Sequence, residues 1–165
     1  MIAGKAKAVF EALQTNKVMM VSAESCTGGM IAAAMTDIAG SSKVFERGFV
    51  TYTNQSKHDM LGVPLDLIET HGAVSEEVVI AMATGALRQS NAQISVSVTG
   101  IAGPGGATKN KPVGLVHIAS ARAKNGEGGD VLHLRFEFEG DRAHVREQSV
   151  EAAFEMILKQ LDQVL

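Results

Sequence analysis

The feature that most constrains the fold is an alternation of strand-like and helix-like segments along the whole chain. KVMMVSA (Lys17–Ala23) is a short apolar run of the kind that forms a buried strand. QISVSVTG (Gln93–Gly100) and GLVHIASA (Gly114–Ala121) also read as strands. FVTYT (Phe49–Thr53) predicts a further strand, and VLHLRFEFE (Val131–Glu139) alternates like a strand with one wet face. Between them lie helical patterns. Ile2 to about Thr15 puts Val9, Phe10 and Leu13 on one face. Met30–Ile38 is rich in strong helix formers and ends at Gly40-Ser41-Ser42. Asn54 is placed to cap a short helix holding Lys57 and Met60, stopped by Gly62-Val63-Pro64. Ser75, followed by Glu76 and Glu77, starts another helix, and Asp141 starts a last one that runs to about Gln163. A polar turn covers Lys124–Asp130, so the strands on either side of it adjoin without a helix. That order predicts an α/β protein: a mixed sheet with helices on both faces.

The 165 residues suit one domain, and no repeat or linker divides them. With 45% hydrophobic and 20% charged residues the chain reads as globular. A formal net charge of −3 argues against a general nucleic-acid-binding surface. No apolar run is long enough to span a bilayer, and the N-terminus lacks the apolar core of a signal peptide. A single cysteine forms no internal disulfide, which makes a reducing cytoplasm the expected compartment. The five histidines are scattered without metal-ligand spacing, so neither a metal nor another cofactor is expected.

The stretch AESCTGG (Ala23–Gly29) falls where the first strand hands over to a helix. Such turns lie at the carboxyl edge of an open sheet, where α/β folds bind ligands. Glycines there allow close backbone approach, and the free N–H groups of a first helical turn favour negative charge. Three uses remain open on the pattern alone. Ser25 or Thr27 caps the helix, the turn cradles a phosphate, or it carries a nucleophile and holds an oxyanion. The stretch is not a GxSxG elbow, and GPGGATKNK is not a Walker A loop.

The segments ESCTGG, AGSSKVFERGFVTYTNQSK, GAVSEE, TGIAGPGG with KPVG, and GDR together resemble the CinA C-terminal-domain family, from about Met20 to the last helix. The resemblance implies a three-layer α/β/α sandwich and hydrolysis of the carboxamide of nicotinamide mononucleotide, a small-molecule nucleotide. Some members carry the domain behind a pyrophosphatase domain, which these 165 residues do not include. On the same basis the nucleophile falls on Ser25, its partner on Lys57, and a third active-site group on Tyr52. The pocket falls on Thr99, Gly100, Gly103 and Arg142. The loop GGATKN differs from the more acidic family versions, which leaves Lys109 without an assigned role. The competing expectation is a non-enzymatic nucleotide-binding or interaction module of a competence or DNA-damage response, which would have no use for a serine–lysine pair. The oligomeric state stays open, a homo-oligomer included.

Residue chemistry is compatible with those assignments. A serine hydroxyl needs a base, and lysine serves if it is neutral, which burial and a helix N-terminus both promote. Tyr52, the only tyrosine, is placed as a core aromatic or as a proton relay between Ser25 and Lys57. Backbone N–H groups around Thr27, Gly28 and Gly29 are the expected oxyanion donors. Cys26 is the better nucleophile by nature, but a lone cysteine is usually a small buried hydrophobe, and neighbours on a turn point different ways. Arg142 and Arg146, one helical turn apart, either pair with acidic neighbours such as Asp141 or bind a phosphate.

Overall fold

The computed structural model describes residues 1–124 and 129–162. Most of the polar turn expected over Lys124–Asp130, and Gln163 at the expected end of the last helix, lie outside them. The elements are α1 (Ile2–Asn16), β1 (Met20–Glu24), α2 (Met30–Thr36), β2 (Phe45–Val50), α3 (Asn54–Leu61), α4 (Leu65–His71), α5 (Glu76–Arg88), β3 (Ile94–Gly100), β4 (Leu115–Arg122), β5 (Val131–Glu137) and α6 (Arg142–Asp162), with a 3-10 turn at Ser41–Lys43. The five strands form one sheet in the order β2-β1-β3-β4-β5. β2, β1 and β3 run parallel, while β4 and β5 pair antiparallel as a meander.

Helices α1, α2 and α6 share a core with one face of the sheet, built on Leu13, Met35, Val96, Ile118 and Phe154. Helices α3, α4 and α5 cover the other face through Val21, Leu61, Ile68 and Met82. Each such side chain, fully buried, contributes roughly 1.5–3 kcal/mol. The result is a three-layer α/β/α sandwich around a mixed sheet, as expected. β3 alternates Ile94, Val96 and Val98 toward one layer with Ser95 and Ser97 toward the other. The serines do not meet water. Their hydroxyls donate to the Ala83 and Val79 carbonyls of α5 at 2.8 and 2.7 Å, which lets that helix lie close on the sheet.

Two expectations need correction. The second strand is Phe45–Val50, not Phe49–Thr53. It is an edge strand, so FERGFV need not be apolar, and it lacks the alternation that marks a half-buried strand. Helix α3 is capped by Thr53 rather than Asn54, through a reciprocal pair in which Ser56 N–H donates to Thr53 Oγ1 and Thr53 N–H donates to Ser56 Oγ, both at 3.1 Å. Helix α4 has no counterpart among the expected elements. It is seven residues long and starts directly after Pro64.

The connection from β1 to β2 passes through α2 on one face, and that from β2 to β3 through α3–α5 on the other. β1 therefore lies between strands to which the chain departs in opposite directions. The crevice at the carboxyl end of β1 is a topological switch point, where open α/β sheets bind ligands. Ser25 follows directly there.

Candidate active site

Period-2 geometry carries through the end of β1 into the turn. Glu24 points to the α2 layer, Ser25 to the α3 layer, and Cys26 back into the core with Val98 and Val116. Ser25 N–H donates to the Val98 carbonyl at 3.0 Å, continuing the ladder to β3 by one residue. That bond fixes the serine just past the strand.

Lys57 of α3 crosses the crevice to meet it. Its Nζ lies 3.0 Å from Ser25 Oγ and 2.8 Å from the Thr51 carbonyl oxygen. The side chain is 1% exposed, and burial lowers the ammonium pKa from 10.5 to about 8. No carboxylate forms an ion pair with it among the described residues. About a tenth of the lysine is then neutral at pH 7, against well under a thousandth at the ordinary value. A neutral amine can donate to Thr51 and turn its lone pair to the serine hydroxyl. Helix α3 reaches this depth because Gly85 of α5 lets it pack closely. A Cβ on Gly85 would lie 2.0 Å from the Leu61 carbonyl oxygen.

Cys26 is 7% exposed and its thiol is pushed up to about 11 by burial, so at neutral pH it is a thiol packed in the core. No histidine lines the cleft around Ser25 and Lys57.

The start of α2 is not an open anion site. The Glu24 carboxylate, 0% exposed, accepts from Ile31 N–H at 2.9 Å and from Ala32 N–H at 3.1 Å. Neither Ser25 nor Thr27 caps α2: its N-cap is Gly29 without a side-chain hydrogen bond, and Thr27 Oγ1 is buried and unpartnered. Nothing in the sequence pattern marks Glu24 for this task. Within the turn, Gly28 N–H donates to the Ser25 carbonyl at 3.1 Å, so this expected oxyanion donor is engaged. The N–H groups of Cys26, Thr27 and Gly29 have no hydrogen-bond partner among the described residues.

Tyr52 is 60% exposed at the cleft mouth. It is not a core aromatic, and it makes no relay contact. Its hydroxyl accepts from Arg142 Nη2 at 2.9 Å, while Arg142 Nη1 donates to the Gly103 carbonyl at 2.9 Å. Thr99 and Gly100, at the end of β3, line the cleft with Ala73 and Val74 from the segment before Ser75. Thr99 Oγ1 donates to the Ala73 carbonyl at 2.8 Å, which ties the two walls together. Gly100 has no room for a side chain: a Cβ would sit 2.7 Å from Val116 and 3.2 Å from the Cys26 sulfur. Thr27, Gly28 and Gly29 form the turn behind Ser25 and do not line the cleft itself.

The inner cleft holds about 190 Å³. Across Ala102 and Arg142 it adjoins an outer pocket of about 720 Å³, bordered by Pro104, Val113 and the start of α6, with Arg142 and Arg146 on its wall. Arg146 Nε donates to the Cys26 carbonyl at 3.0 Å and its Nη2 to the Thr27 carbonyl at 3.3 Å. Arg142 and Arg146 thus meet backbone and the Tyr52 hydroxyl, not Asp141, whose carboxylate is engaged by His144.

Fold and site together define an α/β sandwich with a serine hydroxyl facing a buried lysine at its switch point. A family profile described as the CinA C-terminal domain matches residues 3–161, and the chain belongs to that family. Nicotinamide-nucleotide amidohydrolase PncC of Escherichia coli K12 is 49% identical over 152 residues, covering 92% of this chain and 90% of that protein. A CinA-like protein of Endomicrobium trichonymphae is 48% identical over 149 residues, but the chain spans only 34% of its length. Among solved structures, a competence/damage-inducible protein of Agrobacterium tumefaciens superposes with a TM-score of 0.91 at 48% identity, covering 98% of this chain and 95% of that one. A CinA-superfamily protein of Klebsiella pneumoniae gives 0.92 at 31% identity, with 99% of each chain covered. No helix among the described residues is long and apolar enough to cross a membrane.

Proposed function

We propose that the protein is a nicotinamide-nucleotide amidohydrolase that converts nicotinamide mononucleotide and water to nicotinate mononucleotide and ammonia, in the cytoplasm and without a metal. The observation that carries this is the contact between Ser25 Oγ and a buried Lys57 whose pKa lies near 8. Neutral Lys57 takes the Ser25 proton as the oxygen attacks the amide carbon. The oxyanion is received by the unengaged N–H groups of Cys26 and Thr27. The lysine ammonium then gives its proton to the departing amine, ammonia leaves, and an ester to Ser25 remains. Water, deprotonated by the same lysine, cleaves that ester and restores the serine.

The inner cleft is below the ~300–1,000 Å³ of ordinary ligand pockets and suits the ring and its amide. The ribose and phosphate extend to the outer pocket, where Arg142 binds the phosphate with charge-assisted hydrogen bonds. Tyr52, with Gly103, presents that guanidinium. The relationship to PncC supports the substrate choice.

The test is ammonia release from nicotinamide mononucleotide by purified protein, with and without chelator, in the wild type and in Ser25→Ala. Chelator-insensitive turnover that disappears in Ser25→Ala is expected. Activity that requires an added divalent metal would refute the mechanism.

A further inference from the structure

Arg146 bonds to the turn behind Ser25 and also lines the outer pocket. One edge of its guanidinium holds the Cys26 and Thr27 carbonyls. The side chain also walls the outer pocket, and its Nη1 has no hydrogen-bond partner among the described residues. We infer that Arg146 is a positioning residue that couples occupancy of the outer pocket by the substrate's anionic end to the shape of the nucleophile turn. The inference rests on the amidohydrolase reading above.

The geometry of the peptide unit explains why two carbonyls matter. A trans peptide is planar, with its C=O and N–H pointing opposite ways. Holding the Cys26 carbonyl therefore aims the Thr27 N–H away from Arg146. Holding the Thr27 carbonyl likewise aims the Gly28 N–H, which closes the turn on the Ser25 carbonyl at 3.1 Å. Arg146 thus sets the planes of two successive peptide units behind the serine. Gly28 and Gly29 both have positive φ, at 59° and 102°, so the rest of the turn is built from residues with broad backbone freedom and needs an external hold.

Arg146 is fixed at its base. It lies on α6 beside Val145, and Ser149 and Val150 follow one turn on, all of them buried against the sheet. An anion in the outer pocket would meet the free Nη1 and Arg142 together, at the start of a 21-residue helix whose dipole favours negative charge. Pinning Nη1 from the pocket side restricts the guanidinium that holds the turn. Binding energy from a phosphate far from the amide is then used to orient the Thr27 N–H as an oxyanion donor. A lysine at this position would keep the positive charge but not the two-carbonyl hold, because an ammonium is a point charge on a flexible stem.

The experiment splits the substrate into two pieces. Ammonia release from nicotinamide riboside is measured with and without added phosphite dianion, in the wild type and in Arg146→Lys. Phosphite should raise riboside kcat/KM on the order of tenfold or more in the wild type. In Arg146→Lys that activation should vanish. The variant's kcat on nicotinamide mononucleotide should fall on the order of tenfold or more while KM changes little, and its riboside turnover should fall by a smaller factor, because both reactions lose the hold on the turn but only the mononucleotide also loses the coupling. Equal losses on mononucleotide and riboside would overturn the coupling and leave Arg146 a structural residue. Absence of phosphite activation in the wild type would also overturn it, and that arm stands even if Arg146→Lys fails to fold. No ammonia from mononucleotide in the wild type would sink the amidohydrolase reading and this inference with it. Ammonia from mononucleotide without phosphite activation would sink this inference alone.

Discussion

Lys57→Met tests the burial of the base without any substrate. Methionine fills a similar volume and carries no charge. In the unfolded chain lysine titrates near 10.5, and in the folded protein near 8. Between those values the unfolded state binds a proton that the folded state does not, so wild-type stability rises with pH through that window. Below pH 8 both states are protonated and the fold carries the full cost of a buried ammonium, about 3 kcal/mol. Methionine removes that cost but leaves Ser25 Oγ and the Thr51 carbonyl without the lysine donor, a loss of about 1 kcal/mol for each bond. Lys57→Met should therefore be about 1 kcal/mol more stable than wild type at pH 7. Its advantage should fall by about 2–3 kcal/mol on going to pH 10, reversing sign. Paired denaturant melts at pH 7, 8, 9 and 10 measure this. The difference between the two proteins is the quantity read, since other titrations cancel in it. A difference that stays flat across the range would show that Lys57 titrates as an ordinary lysine and cannot be the base.

Activity should follow the same group. kcat/KM for the mononucleotide should climb about tenfold per pH unit below the Lys57 value of about 8 and level above it, and Lys57→Arg should cost on the order of a hundredfold or more in rate. A wild-type profile flat from pH 6 to 9 would contradict this. Ser25→Ala should lose nearly all turnover yet bind mononucleotide by calorimetry, whereas Cys26→Ala should keep most turnover and lose stability in a thermal melt. The opposite pattern would reverse the assignment of the nucleophile. Gly85→Ala should lower stability by about 1–3 kcal/mol and reduce kcat, because the added methyl collides with the Leu61 carbonyl and displaces the helix that carries Lys57. Unchanged kcat in a folded Gly85→Ala protein would show that this packing does not set the lysine position.

Elements with strong periodicity or clear caps were legible from the residues. Ser75 caps α5 as expected, its Oγ accepting from Val78 N–H at 3.3 Å, and β3 and α6 begin within a residue of their expected starts. β2 is not legible in the residues because FERGFV carries its meaning in pairing with β1 and not in its own pattern. α4 escaped because a seven-residue helix offers too little periodicity to stand out. In the site, Ser25 and Lys57 came from the family motifs. The residues alone leave three uses for the turn open and do not place Lys57 beside Ser25. What buries Lys57 is the packing of α3 against α5 and the crevice beside β1, over 32 residues of separation from Ser25. The Thr51 carbonyl that receives Lys57 is backbone, so no side-chain motif could reveal it. Tyr52 shares a segment with Lys57, which leaves both a core aromatic and a relay open, yet it lies just before the α3 cap and faces outward to Arg142.

The least legible feature, Glu24, decides what the turn can do. The strand end and its turn send three adjacent residues to different tasks: Glu24 to the helix start, Ser25 to the lysine, Cys26 to the core. A carboxylate bonded to Ile31 and Ala32 N–H fills the position where a phosphate would sit in a helix-start cradle. It also sits at the positive end of α2 and holds the helix start against the strand. On the proposed reading, the substrate's anionic group is then read elsewhere, and the outer pocket carries Arg142 and Arg146 of α6 on its wall. That reading assigns the reacting end and the anionic end to elements more than a hundred residues apart in sequence, one at the end of β1 and the other at the start of α6. Arg146 is the side chain that bonds to the first while lining the pocket of the second.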